Sequence, residues 1–387
     1  MPSNITQKKH KRLFVSACEP SSNLHLKHLA KHLDKDLEIC GVFDRETFVD
    51  FEKATPSFTL KDFAVMGFFD VIKKIAFFKK AIAQMSELAK SADCVLLMDS
   101  SSFNLPIAKA VKKSGIKAPI VYYILPQVWA WKPWRAKSIE QNCDYLCGIL
   151  PFELEMYKNA LAQKRAVYVG HPLMDEITEF KSEALPYKTA PIAFMPGSRK
   201  SEIKRIFPIF AEVAKSLPNK KILILPEHFK KLDSQALNEI YGDEIKVFEI
   251  SFEANKALLE SGFAFICSGT ATLQATLIGT PLVLGYKTRG IEVLIARAFV
   301  KLKHIGLANI LYNALYSNAP HSNMRNGTQQ IHTELIQSQL TAENLLKAFE
   351  EMDIESFSTK SQELRDYLKH GSAKQVAGIL NEILDKQ

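Results

Sequence analysis

Two α/β domains, each built on a parallel sheet, are what this sequence predicts. Three observations carry that prediction. Short runs rich in Val, Ile, Phe and Tyr alternate with longer stretches of helical periodicity, the pattern of strands covered by helices on both faces. The 387 residues are too many for one ordinary core. A polar segment from about Asp175 to Ala190, where apolar periodicity lapses, separates the runs into two sets.

In the first set the strand candidates are Leu13–Ala17, Leu37–Phe43, Cys94–Met98, Ile120–Leu125, Tyr145–Leu150 and Val167–Gly170. In the second they are Ile192–Met195, Ile222–Leu225, Val247–Ile250, Phe263–Cys267 and Leu282–Tyr286. Amphipathic helices lie between them; Leu26, Leu29, Ala30 and Leu33 share one face at helical spacing. Ser372 to Gln375 reads as a capping box opening a last helix with Val376, Ile379, Leu380 and Ile383 on one side. Ser261 to Tyr286 carries no charge, yet Ser268, Gly269, Thr270, Thr272, Gln274, Gly279 and Pro281 interrupt it, so it reads as strand–loop–helix–strand and not as a membrane span. Met1 to Arg12 is polar and lysine-rich, unlike a secretory signal.

Composition narrows the partners. A net charge of +8 suits an anionic membrane surface, phosphorylated small molecules or nucleic acid. The basic residues are dispersed and no nucleic-acid module is present, which sets the last aside. Six cysteines form no C-x-x-C pair and mostly sit in apolar runs, so they read as buried thiols in a reducing cytosol.

Ligands of open parallel sheets bind beyond the C-terminal ends of the strands, so chemistry is sought there. Ser268-Gly269-Thr270-Ala271-Thr272-Leu273-Gln274 follows a buried strand and opens a helix. Free N–H groups and the positive end of the dipole suit a phosphate or diphosphate; an ordinary capped helix start is the plainer reading. Pro196-Gly197-Ser198-Arg199 repeats the arrangement, with Arg199 able to pair with a diphosphate or simply to occupy a surface turn. Asp99 ends the strand Cys94–Met98 and Glu19 follows the first strand. Asp99 reads either as a general base or as a cap of the next segment. All three tryptophans lie in Trp129–Trp134, beside Lys132 and Arg135, as stacking rings or as core. Phe68, Phe69, Ile72, Phe77 and Phe78 interleave with Lys73, Lys74, Lys79 and Lys80, the composition of an interfacial helix or of a core helix with a basic edge. Arg289 to Lys303 is a second basic-apolar stretch of that kind.

Taken in order, several stretches resemble the lipid-A-disaccharide synthases. They are Pro126-Gln-Val-Trp-Ala-Trp131, Leu150-Pro-Phe-Glu153, Val169-Gly-His-Pro-Leu-Met-Asp175, Met195-Pro-Gly-Ser-Arg199 with Glu202, and Ser268-Gly-Thr-Ala-Thr-Leu273, with weaker matches at Ala64–Gly67, Asn309 and Glu334–Gln337. The resemblance implies a GT-B fold: a Rossmann-like acceptor and membrane-facing domain (1–175), a second for the UDP-sugar (176–344), and C-terminal helices (345–387) returning to the first. It implies transfer of diacylglucosamine from UDP-2,3-diacylglucosamine to 2,3-diacylglucosamine 1-phosphate, with inversion to a β-1,6 link. It assigns Asp99 as the essential acid and Glu19 as the acid of the first loop. Arg199, Ser198, Ser268, Gly269, Thr270, Thr272, Gln274 and Asn309 fall on the donor side. No metal or other cofactor is expected, and the enzyme is expected at the cytoplasmic face of the inner membrane, with a homo-oligomer compatible. The sequence departs from the family at Cys18, Ser22 and Asn23, where the loop usually reads Gly-Glu-x-Ser-Gly-Asp, at Ser102, usually Asp, and at Gln274, usually an acid. Two alternatives stand beside this reading. One is a GT-B enzyme, transferase or epimerase, acting on another UDP-sugar or lipid acceptor; the other is an inactive membrane-associated binding protein of the same fold.

Overall fold

The computed structural model describes residues 11–64, 71–130, 132–267, 269–288, 303–316 and 329–386. The chain divides into two compact units, one formed by Met1–Glu176 with His370–Gln387, the other by Ile177–Lys369.

Among the described residues the first unit has seven parallel strands: β1 Arg12–Ser16, β2 Glu38–Val42, β3 Ala54–Phe58, β4 Cys94–Met98, β5 Ile120–Tyr123, β6 Tyr145–Gly148 and β7 Ala166–Tyr168, in the order β3-β2-β1-β4-β5-β6-β7. Side chains alternate across this sheet. Phe14, Val95, Leu97, Ile120 and Tyr122 enter one core, and Leu13, Val15, Leu96, Met98, Val121 and Tyr123 the other. Helices cover both faces, so the strands are apolar throughout instead of alternating with polar residues. Each fully buried Leu, Val or Phe contributes about 1.5–3 kcal/mol.

The second unit has six parallel strands among the described residues: β8 Ile192–Met195, β9 Lys221–Ile224, β10 Glu249–Ser251, β11 Phe263–Ile266, β12 Leu282–Tyr286 and β13 Thr333–Ile336, in the order β10-β9-β8-β11-β12-β13. The expected strands are all present; β3 and β13 are additions. Both are edge strands, and β3 carries Pro56, which a central strand would not tolerate.

The expected C-terminal segment 345–387 is split. The helices Ala342–Glu350 and Ile354–Leu368 belong to the second unit, where Phe349 packs edge-on to Phe263, Ser361 donates to the Thr276 carbonyl and Arg365 to that of Leu277 (2.8 Å). The last helix alone, Ala373–Asp385, joins the first unit, burying Val376, Leu380 and Ile383 in the core that holds Leu26 and Leu29. Its expected capping box does not form. Asp175 Oδ2 instead accepts from the Ser372 and Ala373 N–H groups at 2.8 and 3.0 Å. A distant carboxylate thus satisfies the helix start and complements its dipole. Among the described residues no helix is long and apolar enough to cross a membrane.

Candidate active site

Asp99 stands immediately after β4, with its φ at 52° and that of Ser100 at 37°. Two successive non-glycine residues in the left-handed region cost on the order of 1–3 kcal/mol each, so surrounding bonds must hold them. Asp99 N–H donates to the Tyr123 carbonyl at 3.1 Å, and the Asp99 carbonyl accepts from Tyr122 Oη at 2.6 Å and Asn104 Nδ2 at 3.0 Å. The carboxyl is half-buried. Burial, then the charge of Glu19, raises its pKa above the usual aspartate value, offset in part by the Ser100 N–H and by His25. Glu19 is exposed at the start of the helix Pro20–Ala30 and accepts from Ser100 Oγ at 2.5 Å. The two acids therefore share one sheet edge and one intervening serine.

The altered first loop is held by its own substitution. Asn23 is buried; Nδ2 donates to the carbonyls of Ala17 (2.6 Å) and Glu19 (3.1 Å), and Oδ1 accepts from the Asp44 N–H at 2.8 Å and Thr47 Oγ1 at 3.3 Å. An amide supplies donors that the family's carboxylate lacks. Burial pushes the Cys18 thiol up to about 11, which leaves it protonated and inert at neutral pH.

In the aromatic loop, Trp129 packs edge-on to Phe152 at 5.1 Å, and Trp134 is 69% exposed next to Arg135; Trp131 lies outside the described residues. One tryptophan is thus packed inward and another is presented to solvent. Phe68 and Phe69 also lie outside the described residues, whereas Ile72, Lys73 and Lys74 fall in the first turns of the helix Val71–Ala89. Phe77 and Phe78 are half-buried and join Phe58, Phe63 and Phe103 in a network of edge-to-face contacts, with Phe63 at 5.6 and 5.5 Å from them. For these two rings the packing role prevails over display at a surface. The stretch 289–302 lies outside the described residues.

In the second unit, Gly269 precedes the nine-residue helix Thr270–Ile278 with a φ of 115°, a conformation that favours glycine. Among the described residues no side chain caps the helix and nothing lies within 4 Å of where a Cβ would stand, and Thr270 is exposed. Ser268 lies outside the described residues. Thr272 is fully buried and its hydroxyl donates to the Gly269 carbonyl at 3.0 Å, a bond that shapes the loop. Gln274 Nε2 donates to Asn255 Oδ1 at 2.7 Å. Ser198 and Arg199 are exposed after β8; Arg199 begins the helix Lys200–Ser216 and donates to Glu202 Oε1 at 2.7 Å, a bond that raises its pKa further. Asn309 sits within the core of its unit. It is fully buried, with Nδ2 on the His332 carbonyl (2.9 Å) and Glu334 Oε1 (2.8 Å) and Oδ1 on the Ile331 N–H (2.8 Å). Its amide fixes the approach to β13, with Glu334 also accepting from the Ile305 and Gly306 N–H groups.

Comparison with known proteins decides what this geometry belongs to. Residues 13–377 match the family described as Lipid-A-disaccharide synthetase. The lipid-A-disaccharide synthase of Helicobacter pylori (strain Shi470) is 51% identical over 378 residues, 96% of this chain and 99% of that one. The chain belongs to the lipid-A-disaccharide synthase family. The Campylobacter jejuni (strain RM1221) synthase is 43% identical, over 96% of this chain and 100% of its own. Two solved structures share the fold at low identity: a glycosyltransferase of kitacinnamycin (TM-score 0.57, 14% identity, 97% and 98% covered) and MurG of Acinetobacter baumannii (TM-score 0.57, 12%, 96% and 99%). The fold is GT-B, and this synthase is a glycosyltransferase of lipid A biosynthesis. The readings of an inactive binding protein or of another sugar chemistry are set aside.

Several synthase motifs prove to be joints. At Val169-Gly-His-Pro172, a Cβ on Gly170 would overlap the His370 carbonyl, the His171 N–H donates to that carbonyl at 3.0 Å, and Asp175 caps the last helix. Burial holds the His171 imidazole neutral, its pKa lowered to about 3. In Leu150-Pro-Phe-Glu153 the acid is buried, accepts from the Ile149 and Leu150 N–H groups at 2.6 and 3.0 Å, and has its pKa raised by burial to about 8. Residues that the sequence did not single out also serve this edge: Asn104, Tyr122, and the His25–Glu176 pair at 2.6 Å. A polar residue on the apolar face of the helix Ser101–Lys113 was the available signal for Asn104.

Proposed function

We propose that the synthase takes UDP-2,3-diacylglucosamine as donor and 2,3-diacylglucosamine 1-phosphate as acceptor, with Asp99 as the base that removes the proton of the acceptor 6-hydroxyl. Attack of that oxygen on the anomeric carbon breaks the bond to the diphosphate, inverts the centre, and releases UDP with the β-1,6-linked disaccharide 1-phosphate. The observation that carries this is the half-buried Asp99 carboxyl at the end of β4, raised in pKa by burial and by Glu19. Such a carboxylate is a better base than a solvated one. Gly269, Thr270 and the uncapped N–H groups of their helix, with Arg199, support the reading that charge on the leaving diphosphate is met by backbone dipole and guanidinium. No metal enters this reading. Enzyme dialysed against EDTA is expected to keep its full rate, measured as disaccharide formed per minute.

The deciding experiment is a single-turnover assay in mixed micelles comparing wild type with Asp99→Ala. Disaccharide from wild type and about 10²–10⁴-fold less from the variant supports the base assignment. Equal product from both moves the base elsewhere, with Glu19 the next candidate. Phe68, Phe69 and Ile72, interleaved with Lys73, Lys74, Lys79 and Lys80 along the sequence, support peripheral contact with an anionic inner-membrane surface. Its test is vesicle sedimentation with anionic lipid, in which Lys79→Glu with Lys80→Glu, both exposed positions, lowers the bound fraction.

A further inference from the structure

Asn104 is wholly buried in the helix Ser101–Lys113, where an amide side chain is costly unless both of its ends are bonded. Both are. Nδ2 donates to the carbonyls of Met98 at 2.9 Å and Asp99 at 3.0 Å, and Oδ1 accepts from the buried Ser16 Oγ at 2.6 Å. In an extended strand successive carbonyls point in opposite directions. Here two successive carbonyls converge on one nitrogen, at the point where Asp99 and Ser100 turn left-handed. Tyr122 Oη adds a second donor to the Asp99 carbonyl at 2.6 Å, and the Asp99 N–H is tied to Tyr123. Both peptide groups of Asp99 are thereby anchored in the core, and its side chain leaves from a fixed Cα.

We propose that Asn104, assisted by Ser16 and Tyr122, is the positioning residue of the transfer reaction: its amide locks the left-handed turn that aims the Asp99 carboxylate. This rests on the reading of Asp99 as the base. Without the lock, residues 99 and 100 relax toward right-handed conformations, which leaves β4 and the following helix in place but redirects the Cα–Cβ bond of Asp99. A role in packing alone predicts that volume decides. A role in aiming predicts that the conformational freedom of residue 100 decides.

The experiment separates these by pairing Asn104→Ala with Ser100→Gly or with Ser100→Ala. Both double variants lack the Ser100 hydroxyl and its bond to Glu19, so they differ only in how readily residue 100 turns left-handed. Asn104→Ala by itself is expected to lower kcat by about 10²-fold, the scale of a misplaced catalytic group, with KM for either substrate nearly unchanged. The Ser100→Gly double variant is expected to exceed the Ser100→Ala one in kcat by about tenfold, since glycine adopts the turn freely. Equal kcat in the two overturns the proposal. Should Asn104→Ala fail to fold, Tyr122→Phe carries the same pairing, with a smaller loss of about fivefold from one hydrogen bond. Asp99→Ala is measured alongside. A wild-type rate there removes the base reading and this inference with it; a loss there, with none in Asn104→Ala or Tyr122→Phe, removes the positioning role alone.

Discussion

In the proposed reaction the end of β4 offers a side chain, Asp99, that other side chains hold, whereas the end of β11 offers backbone N–H groups that a glycine leaves open. Asp99 takes a strained conformation that Asn104 and Tyr122 enforce from the core. Gly269 takes a conformation natural to glycine, with open space where a Cβ would be. Two strand ends of the same kind therefore have different vulnerabilities. The first is broken by deleting a carboxylate or its supports, the second by adding a single methyl group.

The largest expected effects test that contrast directly. Asp99→Ala should reduce kcat by about 10²–10⁴-fold and change KM little, because it removes a group that acts in the transition state. Gly269→Ala should instead raise KM for the UDP-sugar by about tenfold or more, because alanine resists a positive φ and withdraws the N–H groups from the phosphate. Steady-state kinetics with the donor varied measures both. Equal kcat losses with unchanged KM would erase the distinction between the two edges.

Next in size is a pH effect confined to the first edge. The negative charge of Glu19 is the second cause, after burial, of the raised pKa of Asp99. With Asp99 as the base, which must be ionised to act, the acidic limb of kcat against pH is expected above the ordinary aspartate range. Glu19→Gln removes the repulsion and should move that limb to lower pH, whatever it does to the plateau. A limb that stays in place or moves upward would uncouple the two acids.

Smaller effects separate ligand contact from scaffold. Thr272→Val should leave KM for the donor nearly unchanged and cost about 1 kcal/mol of stability, because its hydroxyl bonds the Gly269 carbonyl from within the core. Arg199→Ala should do the reverse, raising donor KM with little change in Tm, since its side chain is 78% exposed. Glu153→Gln concerns stability alone. The folded pKa of Glu153 is raised to about 8, so its contribution is complete in acid and is lost as pH rises from the ordinary glutamate value toward 8. The Tm of Glu153→Gln relative to wild type should therefore climb across that window and level off above it.

Much of this molecule was legible before its structure. The central strands are continuous apolar runs because both sheet faces are covered, and that signal survives without any knowledge of neighbours. The placement of Asp99, Glu19, Arg199 and Gly269 in the segments that follow strands was legible because each lies within a few residues of such a run. The edge strands β3 and β13 were not, since Pro56 and the polar residues of Thr333–Ile336 carry little of the pattern that burial imposes. Nor were the buried hydrogen bonds of Thr272 and Asn309, because the partners of a polar side chain are set by segments brought to it by the fold.

Read alone, the sequence yields the two α/β domains, the positions of their principal strands and the family. These follow from local patterning and from short motifs whose residues are neighbours along the chain. Tertiary structure decided the rest. It drew the unit boundary at Lys369/His370, capped the last helix with Asp175, turned the Gly-His-Pro motif into a joint, and placed Asn104 beneath Asp99. Each of these depends on a hydrogen bond or close approach between segments that are not adjacent in sequence or that meet through a turn. Burial then determines which polar atoms are committed and which are left to act.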